Sequence, residues 1–113
     1  MLHDFSTPAA FQILKNLREL YLAINQFSGN IPAFVFLLPH IQQLDLSYNC
    51  FGGQILINQS SNLPSSFKAL QLSGNNLSGR FSFIWLRNVT NLEVIDISGN
   101  SNLDLVGHIP RWI

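Results

Sequence analysis

A nine-residue segment occurs four times along this chain at nearly constant spacing. Each copy reads apolar-x-x-apolar-x-apolar-x-x-Asn, as in the stretch from Leu17 to Asn25. The closing asparagines are separated by 24, 26 and 25 residues, and they are Asn25, Asn49, Asn75 and Asn100. The middle apolar residues keep the same intervals, and they are Leu20, Leu44, Leu70 and Ile95. Because repeats of about 20–50 residues are typical of solenoids, the chain is predicted to stack similar units in one direction.

The apolar-x-apolar centre of each copy predicts a short β-strand with one buried face. Alternate residues of a strand point to opposite sides, so Leu20 and Leu22 face one way and Tyr21 the other. A single strand cannot bury its apolar face, whereas stacked copies form a parallel sheet over a continuous core. A carboxamide at each strand end can satisfy the backbone groups of neighbouring turns. We therefore predict a structural asparagine ladder made of Asn25, Asn49, Asn75 and Asn100.

The residues after each asparagine carry the family resemblance. Glycines such as Gly29 and Gly79 permit the positive φ of a tight turn, and Ile31-Pro32 follows the first of them. The pattern LxxLxLxxNxFSGxIPxxLxxLxxL resembles the plant extracellular leucine-rich repeat, and residues 25–41 match it nearly position for position. The resemblance implies an α/β solenoid of about four repeats with a parallel β-sheet on its concave face.

The resemblance extends over nearly the whole chain and predicts one leucine-rich repeat segment over 1–113. A partial repeat covers 1–16, repeats lie near 17–40, 41–66 and 67–91, and a partial repeat covers 92–113. Since both ends fall inside a repeat, we expect a fragment of a longer protein. The longest apolar run, residues 33–38, is far shorter than the ~20 residues that span a bilayer, so any membrane attachment is expected through a segment absent from this chain.

Composition and residue spacing argue against several classes of function. Six Lys and Arg residues balance six acidic ones, and without a basic excess nucleic acid is not an expected partner. The histidines His3, His40 and His108 occupy unrelated repeat positions, and the single Cys50 lacks zinc-ligand spacing. Cys50 is expected to be a free, partly covered thiol. With no nucleophile–base set or phosphate loop in the sequence, we expect no catalytic residues, no metal site, no cofactor and no enzyme activity.

Two groups of residues are candidates for function. Sequons of the form Asn-x-Ser/Thr predict glycosylation at Asn58, Asn76 and Asn88, with Asn58 the best acceptor because it lies in a polar insertion over residues 58–66. The outward-facing strand residues form the concave surface that solenoids use for binding. The predicted ligand-binding residues are a column of Tyr21, Asp45, Gln71 and Asp96, with Glu19 and Gln43 beside it and Ile24 and Tyr48 on the asparagine side.

The resemblance implies a recognition module. It would be part of the ectodomain of a plant receptor-like protein or receptor kinase in defence or developmental signalling, on the extracellular side of the plasma membrane or secreted. Its partners would be a protein or peptide ligand and a co-receptor. Two alternatives stay open: a secreted inhibitor of cell-wall-degrading enzymes, similar to polygalacturonase inhibitors, and a truncated gene product without function.

Overall fold

Short strands recur through the chain, with helical turns on the opposite side of the repeats. The computed structural model describes residues 8–58 and 61–109. In chain order the elements are α1 (Pro8–Leu14), β1 (Glu19–Tyr21), β2 (Ser28–Gly29), α2 (Ala33–Phe36), β3 (Gln43–Asp45), β4 (Cys50–Gln54), β5 (Ala69–Gln71), β6 (Asn76–Ser82), a 3₁₀ turn (Phe83–Leu86), β7 (Val94–Asp96) and β8 (Asn102–Val106).

The first sheet consists of the four predicted strands in the order β1-β3-β5-β7, all parallel. Its register aligns the middle apolar residues of the four copies: Leu20, Leu44, Leu70 and Ile95. The predicted solenoid of about four repeats with a parallel β-sheet is therefore confirmed. The chain advances by one strand per repeat, so residues at equivalent positions lie side by side.

A second parallel sheet, with the order β2-β4-β6-β8, was not predicted from the sequence. It forms where only turns were expected, although the expected positive φ occurs at Gly29, Gly53, Gly79 and Gly107. The segment between Asn100 and Gly107 is longer than the corresponding segments of the earlier repeats, and it contains β8, which pairs over five positions with β6.

The apolar core lies inside the solenoid and is continuous along the repeats. Ile31, Phe81 and Trp85 are buried, and the rings of Phe81 and Trp85 meet edge to face with centroids 5.2 Å apart. Ile109 occupies the same repeat position as Ile31 but is 61% exposed. The reason is that no further turn of the described chain stacks on that end.

Asparagine side chains connect successive repeats at the ends of the first-sheet strands. The Asn49 side chain donates to the carbonyls of Leu22 (2.9 Å) and Leu46 (3.1 Å) and accepts from the Phe27 amide (3.2 Å). Asn75 and Asn100 repeat this arrangement in the next two turns. Among the residues that the structure describes, Asn25 donates only to carbonyls of its own repeat. The ladder therefore satisfies backbone groups of two turns at once.

Candidate ligand-binding face

The register of the first sheet places the candidate residues in columns. One column across the four strands contains Tyr21, Asp45, Gln71 and Asp96. A second column, two residues earlier, contains Glu19, Gln43, Ala69 and Val94. With neighbouring strands about 4.8 Å apart, Asp45 and Asp96 are separated by about 10 Å across Gln71. The structure thus brings the sequence-derived candidates together on one surface.

Serine hydroxyls donate hydrogen bonds to the two carboxylates of the first column. Asp45 Oδ1 accepts from the Ser47 hydroxyl (2.5 Å) and from the Ser47 amide (3.1 Å). Asp96 Oδ1 accepts from the Ser98 hydroxyl (2.6 Å) and amide (3.1 Å), and this bonding lowers the pKa of Asp96 below its usual value. In the sequence, these serine–aspartate bonds correspond to the recurrence of Asp-x-Ser at the same repeat position. These bonds therefore orient both carboxylates, and the lowered pKa keeps Asp96 negatively charged at neutral pH.

Large apolar side chains lie beside the carboxylates. Tyr21, Ile24 and Tyr48 are 58%, 80% and 61% exposed. The pKa of the Tyr21 hydroxyl is raised by partial desolvation and then by the negative charges of Glu19 and Asp45, so the hydroxyl stays protonated and able to donate. The face therefore combines apolar surface, donors and negative charge.

The backbone at Ile24 and Tyr48 is in the left-handed region, with φ of 57° and 54°. Glycine occupies the same repeat position in the next two copies, at Gly74 and Gly99. A β-branched residue there is a true outlier, and the conformation costs about 1–2 kcal/mol for a residue other than glycine. The Tyr48 ring lies over Gly74, since a Cβ on Gly74 would be 2.5 Å from Tyr48 Cδ1. In the sequence, glycine at two of the four aligned positions indicates a left-handed backbone there, but it does not show that Ile24 and Tyr48 adopt the same conformation.

The predicted glycosylation sites lie away from the first sheet. Asn58, Asn76 and Asn88 are exposed, with Asn76 in β6 and Asn88 just after the 3₁₀ turn. Cys50 is a free cysteine, as predicted, and it is exposed at the start of β4. The reason is that Cys50 begins a strand whose inward residue is the next one, Phe51.

A pocket next to the second sheet was also not predicted from the sequence. It has a volume of about 660 Å³, and its lining includes Asn58, Arg80, Trp85 and Asp104. The buried Trp85 indole N–H finds no acceptor among the described residues. Within residues 8–58 and 61–109, no His, Cys, Asp and Glu side chains group closely enough to hold a metal ion, and no helix is long and apolar enough to cross a membrane.

Comparison with known proteins gives matches along most of the chain. Two family models described as Leucine Rich Repeat match residues 16–38 and 38–58. Receptor-like protein 39 of Arabidopsis thaliana is 40% identical over 106 residues, covering 94% of this chain and 12% of that protein. The chain spans only 9% to 13% of the length of such curated relatives.

Solved structures match the fold as well. The BIR3–SERK2 complex from Arabidopsis thaliana contains a chain that is 31% identical, with a TM-score of 0.66, covering 95% of this chain and 54% of that one. The ectodomain of the Arabidopsis receptor kinase HAESA, in complex with an IDA peptide hormone ligand, is 34% identical with a TM-score of 0.57, covering 84% of this chain and 15% of that one. The repeat motif, the fold and these matches together show that the chain belongs to the leucine-rich repeat family, in the plant type found in receptor-like proteins and receptor kinases.

Proposed function

We propose that this chain is a recognition module in the ectodomain of a plant receptor-like protein or receptor kinase, and that its first sheet binds a protein or peptide ligand. The observation that carries the proposal is a group of exposed side chains: Tyr21 at the end of β1, and Ile24 and Tyr48 just after the ends of β1 and β3. Tyrosine supplies a large contact area with a polar tip at low entropic cost, and it is enriched among residues that dominate binding energy.

Backbone strain at two of these positions supports the proposal. Glycine adopts positive φ without steric cost, so folding alone favours glycine at positions 24 and 48. Large side chains at both positions are 80% and 61% exposed, so burial in the fold does little to offset the strain. Strained residues concentrate at functional sites, where contact with a ligand gives the side chain its role.

The comparisons support the class of partner and the location. The HAESA ectodomain, which is 34% identical, is described in complex with a peptide hormone ligand, and BIR3 is described in complex with SERK2. By analogy, we propose a peptide or protein ligand with a second receptor chain as co-receptor, outside the plasma membrane, and no catalytic step in this segment. Such proteins act by binding, so the geometry of the face matters more than any reactive group.

The test uses peptides selected from a phage-displayed random library against the immobilised chain. Replacing both aromatic anchors, Tyr21→Ala with Tyr48→Ala, should weaken the selected peptides by about 1–3 kcal/mol. Leu56→Ala is the matched control, because Leu56 is 67% exposed and lies outside the first sheet. Unchanged affinity in the folded double variant, or an equal loss in the control, would contradict the proposal.

Glycosylation is a second consequence of an extracellular location. All three sequon asparagines are exposed and none lies in the first sheet, so attached glycans would leave that face open. We expect secretion from plant cells to yield glycopeptides containing Asn58, detected by mass spectrometry, with Asn88 next. Unmodified Asn58, Asn76 and Asn88 in the secreted protein would contradict this expectation.

A further inference from the structure

The charges of this neutral chain are unevenly distributed between its two sheets. The strands of the first sheet carry three carboxylates and no cation: Glu19, Asp45 and Asp96. The strands of the second sheet carry one cation and one carboxylate, Arg80 and Asp104, and the side chains of Arg80 and Arg87 line a pocket beside that sheet. The strands of the first sheet therefore carry a net negative charge, whereas those of the second sheet carry none.

The edge of the first sheet does not cancel this charge. Arg18 and Lys68 directly precede β1 and β5, and Glu93 directly precedes β7. These residues are confined to the side where the strands begin. The opposite side, where the strands end, carries the uncharged side chains of Ile24 and Tyr48, with Gly74 and Gly99 in the later repeats. The face therefore runs from a mixed-charge edge, through a carboxylate column, to an apolar edge.

We propose that this face selects a basic, extended peptide, with Lys or Arg side chains over Asp45 and Asp96 and an apolar side chain against Tyr48 and Ile24. The inference rests on the proposed function and adds the chemical class and orientation of the ligand. Charge complementarity singles out a cationic partner, since opposite potentials favour association and like charges are rejected. Tyr21 and Tyr48 add cation–π contacts that an acidic or neutral ligand cannot make.

The geometry of the two carboxylates limits the spacing of the basic residues. Asp45 and Asp96 lie two strands apart, at about 10 Å. A polyproline II peptide repeats every three residues, which is about 9.3 Å along its axis. Lysines three positions apart therefore reach both carboxylates from one side of such a peptide. The serine bonds orient each carboxylate, whose two oxygens offer about four acceptor positions, so acceptors remain for a cation.

The experiment compares three synthetic, proline-rich peptides with capped ends and one leucine each. The first has two lysines three positions apart, the second has glutamines there, and the third has glutamates. Titrations followed by amide chemical shifts should show the lysine peptide binding about three- to tenfold tighter than the glutamine peptide, as two exposed ion pairs predict. This advantage should vanish near 1 M salt, where the Debye length is about 3 Å.

Variants of the protein show which carboxylates cause the preference for the lysine peptide. Asp45→Asn with Asp96→Asn should abolish the advantage of the lysine peptide, whereas Asp104→Asn, on the second sheet, should retain it. If all three peptides bind the first sheet equally, the charge inference is overturned and the proposed function stands. Failure of the lysine peptide to bind at millimolar concentration also overturns the inference. The affinity of the phage-selected peptides tests the proposed function separately. Shifts confined to the second sheet would contradict both.

Discussion

The asparagine ladder allows a direct test of how the repeats hold one another. Asn49→Ala removes two carboxamide donors and one acceptor, which serve the Leu22 and Leu46 carbonyls and the Phe27 amide. A net hydrogen bond contributes about 1 kcal/mol, and a buried group left without a partner costs about 1–3 kcal/mol. Asn49 is only 8% exposed, so water cannot easily replace the lost side chain. We expect a loss of about 2–4 kcal/mol in the free energy of unfolding.

Asn25 provides the matched control within the same chain. Its side chain is exposed and, within the described part of the chain, donates only to the Leu22 and Ala23 carbonyls of its own repeat. Asn25→Ala should therefore cost about 1 kcal/mol or less. Urea unfolding followed by circular dichroism measures both variants, with an unchanged m-value showing that the same surface unfolds. Equal costs for Asn25→Ala and Asn49→Ala would refute the reasoning that contacts between repeats carry the effect.

Three further predictions concern strain, charge and packing. Ile24→Gly should raise the free energy of unfolding by up to about 1 kcal/mol, because relief of the strain at φ 57° exceeds the entropic cost of glycine; a clear destabilisation in urea would contradict this. Ser98→Ala should raise the pKa of Asp96 toward its usual value, as a carboxyl NMR titration would show, and an unmoved pKa would rule out the hydroxyl as the cause. The lowered pKa of Asp96 stabilises the fold at pH values above the unfolded-state pKa, and this stabilisation is lost as the pH falls through the folded-state pKa. Because Ser98→Ala removes part of that stabilisation, the variant should lose less stability on acidification than the unsubstituted protein. Leu44→Ala should cost about 2–5 kcal/mol in urea unfolding, since Leu44 is 1% exposed, and a cost below about 1 kcal/mol would mean that the core is not packed as described.

The sequence predicts the first sheet because periodicity alone defines it. Leu20 and Leu44 repeat at the spacing of one solenoid turn, and their alternation with polar residues fixes both the strand and its inward face. The second sheet cannot be predicted from periodicity in this way. Its first strand, β2, has only Ser28 and Gly29, which have no preference for strands, and it forms because stacking brings equivalent turns into hydrogen-bonding distance.

The candidate binding face likewise has features that the sequence predicts and features that it does not. The column containing Tyr21 and Asp45 follows from repeat alignment, since equivalent positions of parallel stacked strands become neighbours. The strain at Ile24 and Tyr48 depends on a φ angle, which residue type alone does not report when glycine occupies the position in only two of four copies. The exposure of Ile109 likewise depends on what stacks beside it, which no local pattern encodes.

The central claim is that a ligand occupies the first sheet rather than the second. A spin label attached to a selected peptide measures this directly, because paramagnetic broadening of amide signals falls steeply with distance from the label. We predict broadening at residues 19–21, 43–45 and 69–71, in β1, β3 and β5, with the signals of 50–54 and 76–82 preserved. Broadening of β4 and β6 with sharp signals in β1, β3 and β5 would contradict the account.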